Sequence, residues 1–153
     1  AKDFFAWVKE QGILPQYILY SPDEIKRYAE LKASGVIPAS HNFVLLVLGR
    51  KSVDQPKDAF AKPQDLDPFL DAVKKYCPEV TWAVCAFGGF ENECMKYAFS
   101  RGGNARIGFE NNHWLIDESI APSNAALVQQ LVKTSGITPM NAAEMRQLLT
   151  QIC

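Results

Sequence analysis

Arg106, Glu110 and Asn111 fall in one short stretch, Asn-Ala-Arg-Ile-Gly-Phe-Glu-Asn-Asn, over residues 104–112. The stretch reads as a strand, Ala105 to Phe109, that delivers all three polar side chains to one end of a sheet. A cation, a carboxylate and an amide released together suit an anionic or carbonyl substrate. The plain alternative is a structural ion pair, because residues i and i+4 of a strand share a face and Arg106 would then meet Glu110. The two readings are compatible. His113, just beyond, is either a replacement acid or base or an ordinary loop histidine.

Other groups are more ambiguous. Gly88-Gly89 follows an apolar run, and glycines there either let backbone amides approach a substrate or form a plain turn. Ser123-Asn124 reads first as a helix cap, with anion binding at the helix amino terminus as the second option. Arg50-Lys51 is either a phosphate contact or a solvated pair of loop cations. His41 precedes a strand, at its amino end, and reads as structural. Cys77, Cys85, Cys94 and Cys153 show no metal-site spacing. Cys85 sits in an apolar strand as a small hydrophobe, and the scattered thiols suit a reducing cytoplasm.

The elements that position these groups repeat as strand then helix. Strands are expected at Tyr17–Tyr20, Phe43–Leu48, Thr81–Phe87 and Ala105–Phe109. The second and third are continuous apolar runs, the pattern of strands buried on both faces in parallel sheets. Ser21-Pro22-Asp23-Glu24 is a capping box with proline at the first helical position, and its helix stops near Gly35. Further helices are expected over Asp65–Tyr76, over Asn92–Ser100, and from Ser123 to near Gly136. The first of these faces Leu66, Phe69, Leu70 and Val73 inward, the second Met95, Ala98 and Phe99, and the third Leu127, Val128, Leu131 and Val132. A last helix from about Asn141 places Met145, Leu148, Leu149 and Ile152 inward. The opening residues, with Phe4, Phe5 and Val8, look like the end of another helix. Repeated strand–helix units predict a parallel sheet with right-handed crossovers, whose sites lie at the strands' carboxyl ends.

Composition bounds the rest. The chain has 153 residues, 48% hydrophobic and 22% charged, with net charge −1. That suits one structural unit, residues 1–153, and points to neither nucleic acid nor a membrane as partner. No apolar run is long enough to span a bilayer, and the first residues lack a signal-peptide layout. Four strand–helix units are too few to close a (β/α)8 barrel, which needs about 250 residues. The choice is a small open sheet or half of a larger barrel.

Several motifs together bear on that choice. Trp82-Ala83-Val84-Cys85-Ala86-Phe87-Gly88-Gly89 is followed by Arg106-x-Gly108-x-Glu110, then by Ala121-x-Ser123-Asn124-x-x-Leu127-Val128. Thr138-Pro139-x-x-Ala142-x-Glu144-x-Arg146-x-x-Leu149 closes the series. The combination resembles the β-keto acid cleavage enzymes, the family of 3-keto-5-aminohexanoate cleavage enzyme. The match covers essentially the whole chain and is strongest from Trp82 onward.

The resemblance implies an α/β fold, the carboxyl-terminal half (strands five to eight) of a (β/α)8 TIM barrel, with the amino-terminal half absent from this chain. It implies an enzyme that joins a β-keto acid to acetyl-CoA and cleaves it, giving acetoacetate and a CoA thioester. A divalent metal, usually zinc, is implied with it. Glu110 matches the family's metal-binding glutamate, whose two histidine partners would lie outside the chain, and Arg106 matches the catalytic arginine. Gly88 and Gly89 fall on the substrate-binding turn. Asn111 stands where the family has an aspartate acting as general base, and an amide cannot take that proton. Gln16 likewise replaces an acidic residue of the first strand's Pro-Glu-x-Glu. These departures motivate a rival: a non-catalytic or altered-chemistry member that binds a ligand. A self-contained flavodoxin-like domain is a third possibility, opposed by the lack of a glycine loop after the first strand. A half barrel would associate with its other half or form a homo-oligomer, because its two edge strands are unpaired.

Overall fold

The computed structural model describes residues 1–49 and 60–151. The Arg50-Lys51 pair, Ile152 and Cys153 lie outside the described residues. The described chain runs α1 (Lys2–Glu10), β1 (Tyr17–Leu19), α2 (Pro22–Ala33), β2 (Phe43–Leu48), a 3-10 turn (Pro63–Leu66), α3 (Asp67–Tyr76), β3 (Thr81–Ala86), α4 (Glu91–Ser100), β4 (Asn104–Ala105), α5 (Asn124–Ser135) and α6 (Ala142–Gln151). The four strands form one parallel sheet in the order β1-β2-β3-β4. The alternating α/β order and parallel pairing expected from the apolar runs are therefore present.

Local chemistry explains most boundaries. Ser21 Oγ accepts from the Glu24 amide, with Pro22 opening α2. Ser123 caps α5 by accepting from the Ala126 amide, and Gly136 ends that helix in the left-handed conformation. Asn141 caps α6, its side-chain oxygen accepting from Ala143 and Glu144, while the Glu144 carboxylate accepts from the Asn141 amide.

The strands alternate between two apolar layers. Val44, Leu46, Leu48, Val84 and Ala86 pack with Ile25, Tyr28, Leu66, Phe69, Met95 and Ala98 of the helices. Leu45, Val47, Ala83 and Cys85, with Phe43 and Phe87 beside them, form a second cluster on the opposite face. Burial on both faces is why β2 and β3 read as unbroken apolar runs.

The opening helix is present as α1, with Val8 buried and Phe4 exposed. Two expectations need correction. Val128 and Met145 are not in the core: they line an open groove between α5 and α6, together with Ile137 and Met140. Helical periodicity identified the apolar faces of both helices, but these faces are only partly covered, with Leu148 and Leu149 half-buried.

The larger correction concerns β4. It covers only Asn104–Ala105 rather than Ala105–Phe109. The Arg106 amide makes one more ladder bond, to the Val84 carbonyl (2.8 Å), and the chain then leaves the sheet. The next donors are taken by side chains. The Gly108 N–H donates to Glu91 Oε1 (3.3 Å) and the Phe109 N–H to Asn124 Oδ1 (2.7 Å). Gly108 has φ 154°, and a β-carbon there would lie 2.9 Å from Asn124 Oδ1, so the turn needs a glycine.

Candidate functional site

The groups of interest gather where β3 and β4 end. Gly88 follows β3 with φ 103°, and a β-carbon on it would collide with the Phe60 ring. Its N–H donates to the Asn111 carbonyl (3.1 Å), tying the turn after β3 to residues 108–112. That amide is thus committed within the protein. Gly89, beside it, has open space where a side chain would stand. The turn itself is closed by the Asn111 and Asn112 amides, both donating to the Gly108 carbonyl.

Arg106 and Glu110 do meet: Nη2 lies 3.1 Å from Oε2. A turn brings them together, not a shared strand face, because the backbone has already left the sheet. The pair faces solvent, with the glutamate side chain 68% exposed. The guanidinium also reaches over the second apolar cluster, with Nη2 3.6 Å from the Cys85 sulfur. Cys85 is fully buried, and burial pushes its thiol pKa up while Arg106 opposes the shift. It is a packed hydrophobe, as its place in an apolar strand suggested.

Asn111 is buried, and its Nδ2 has no hydrogen-bond partner among the described residues. Among the described residues no other buried side-chain nitrogen or oxygen is in that position. Buried polar groups are nearly always bonded, so an orphaned amide donor marks a place where an acceptor belongs.

His113 stacks on Phe109 with ring centroids 5.2 Å apart and meets Trp114 edge-on. His41 is far from this end. It is buried, with Nδ1 2.9 Å from the Tyr17 hydroxyl oxygen, and its carbonyl accepts from the Tyr28 hydroxyl. Burial lowers its pKa, with Lys9 and Lys32 adding to the effect. It is the structural histidine expected.

Asn124, expected with Ser123 as a helix cap or an anion contact, instead fastens the turn by accepting from the Phe109 amide. One contributor was not singled out from sequence. Glu91, the first residue of α4, is 1% exposed. Its Oε1 accepts from Gly108, and its Oε2 lies 3.4 Å from Asn112 Nδ2. Burial pushes its carboxyl pKa up to about 7, against the opposing pull of those two hydrogen bonds. A glutamate in a helix's first turn ordinarily signals a solvated dipole partner, and nothing in the Gly-Gly-Phe-Glu string announces its burial.

Among the described residues no group of three histidines, cysteines or carboxylates comes together. Glu110 is a lone carboxylate whose neighbour is a cation. These residues do not fit a metal site by themselves. No described helix is long and apolar enough to cross a membrane.

Comparison with known proteins adds a family. The beta-keto acid cleavage enzyme model matches residues 1–150. A 3-oxoadipate:acetyl-CoA acetyltransferase of Cupriavidus necator is 26% identical over 149 residues, covering 94% of this chain and 50% of the relative. A 3-keto-5-aminohexanoate cleavage enzyme of Acetoanaerobium sticklandii is 26% identical over 152 residues, covering 96% and 52%. One from Fusobacterium nucleatum is 26% identical over 155, covering 97% and 52%. The chain spans about half the length of the curated relatives it matches.

Proposed function

Because the chain belongs to the beta-keto acid cleavage enzyme family, we propose that the intact protein cleaves a β-keto acid with acetyl-CoA, and that residues 106–111 carry part of its site. The products are acetoacetate and a new CoA thioester. The sheet is the carboxyl-terminal half of a (β/α)8 barrel, β1 to β4 serving as strands five to eight. The barrel is completed by a further half, and the two unpaired edges also favour a homo-oligomer. The protein works in the cytoplasm.

The observation that carries this reading is the Arg106–Glu110 pair standing beside an orphaned amide donor at the strands' carboxyl ends. Arg106 presents a planar fork of donors, of which Nη2 is engaged by Glu110 and Cys85. The remainder can stabilise negative charge that develops on an enolate or thioester oxygen. The Asn111 Nδ2 donor orients a substrate oxygen. Gly88 and Gly89 shape the neighbouring wall: Gly88 joins the two turns, and Gly89 leaves its backbone uncovered for the substrate. Glu110 is proposed as one ligand of a divalent metal, zinc by family resemblance, whose remaining ligands lie outside this chain; that ion would polarise the keto oxygen.

The test is metal content and β-keto acid turnover of the full-length protein beside Glu110→Ala. Loss of both supports the reading, and retention of both defeats it. A second reading, a ligand-binding member without the reaction, is favoured by Asn111, which cannot accept a proton at useful pH. Asn111→Asp separates the two. Restored or raised turnover marks a weakened enzyme, and unchanged inactivity marks a protein that only binds.

A further inference from the structure

We propose that Glu91 is a positioning residue of this site: its two carboxylate oxygens clamp the 108–112 turn onto the start of α4 and so set where Glu110 and Asn111 stand. The inference rests on the reading of residues 106–111 as a site.

The geometry is that of a two-point clamp. One oxygen takes the backbone N–H of Gly108 at the first corner of the turn. The other takes the side chain of Asn112 at the last. Glu110 and Asn111 lie between the two anchored residues. Asn112 is itself buried and bonded twice to Trp114, its Nδ2 donating to the carbonyl (2.8 Å) and its Oδ1 accepting from the amide (3.0 Å). The clamp therefore also holds the first residues beyond the turn.

Glu91 has no simpler structural use. It does not cap its own helix, whose N-cap, Phe90, contributes no side-chain bond. No cation pairs with it among the described residues. Both of its partners are donors from the turn, far away in sequence. A buried carboxylate without a cation is unfavourable unless several donors converge on it. The donors it has are those that place the site. Because the donors take its oxygens, Glu91 acts through the turn and not on substrate.

The test uses the full-length protein with hydrogen exchange over residues 106–114 and steady-state kinetics. Glu91→Ala should speed exchange in that segment by about tenfold, the effect of losing a hydrogen bond to a charged group, while segments in β2 and α2 exchange as before. kcat should fall by a similar factor, with KM changed much less. Glu91→Gln keeps one acceptor oxygen and should fall between parent and alanine variant. If Glu91→Ala does not fold, Glu91→Gln carries the test alone, because it keeps the shape. Unchanged exchange over 106–114, or a loosened turn with full kcat, overturns the proposal. Glu110→Ala is run in parallel. If it is inactive while the Glu91 variant is fully active, only the positioning role has failed. If Glu110→Ala is itself fully active, the site reading has failed, and the positioning role with it.

Discussion

The two ends of the sheet are built differently. At the amino ends of the strands, polar groups are bonded to one another, with His41 and Tyr28 buried. Tyr17 and Tyr28 both reach His41, and Lys32 contacts Asn42 and pairs with Glu79 at 3.5 Å. At the carboxyl ends, an ion pair faces solvent, and among the described residues an amide donor lacks its acceptor and a buried carboxylate lacks a cation. The first arrangement holds the chain together. The second tolerates unfavourable placements, which is how binding and catalysis separate from stability in strand–helix folds.

Breaking the comparison begins with the exposed pair. Arg106→Ala should lower turnover of the full-length protein by on the order of a hundredfold or more, the effect of removing a preorganised donor to a developing oxyanion. The readout is kcat on a β-keto acid with acetyl-CoA. Undiminished kcat would move the site elsewhere.

Glu91 gives the next largest effect, and it depends on pH. Its carboxyl pKa is raised from 4.5 to about 7 in the folded chain. The folded state therefore binds a proton more tightly than the unfolded one. That contribution to stability is fully present below pH 4.5 and is lost as pH rises through about 7. Glu91→Gln lacks this dependence. Relative to the parent, its unfolding free energy should rise between pH 4.5 and pH 8 by up to about 3 kcal/mol. Urea denaturation at the two pH values measures the difference, and a parallel pH dependence in both proteins would refute it. The charged form that holds the turn best is thus the one the fold bears least easily.

The amino end should respond in stability and not in turnover. Tyr28→Phe removes the hydroxyl that donates to the His41 carbonyl. It should destabilise by about 1–3 kcal/mol, with kcat unchanged. Thermal unfolding beside kinetics separates these effects. The smallest expected change completes the contrast. Glu110→Gln breaks a solvent-facing pair and should shift stability by less than about 1 kcal/mol, while turnover drops. A large loss of stability there would make the pair structural.

How far the sequence revealed this contrast depended on the range of the interactions. The β2 run, the Ser21 and Ser123 caps and the glycine ending α5 rest on neighbours along the chain, and their signals are local. The parallel order followed from Phe43–Leu48 and Trp82–Ala86 being apolar throughout. Arg106 and Glu110 were recognised as partners, but the strand expected to align them stops early. Its donors are captured by Glu91 and Asn124, which approach from distant positions, and periodicity carries no trace of such capture. The burial of Asn111 and Glu91 was invisible for the same reason. Both residues look like solvated polar positions until the turn folds back over α4.

Strand order in the sheet follows chain order, each strand pairing only with its neighbours in sequence. Order of synthesis and order of assembly can therefore coincide. A chain emerging amino end first can lay each strand and its helix against a neighbour already in place. Pairings between consecutive units close shorter loops than pairings between distant strands would, and so cost less chain entropy. The turn that carries Arg106, Glu110 and Asn111 then forms only after β3 is in place to receive it.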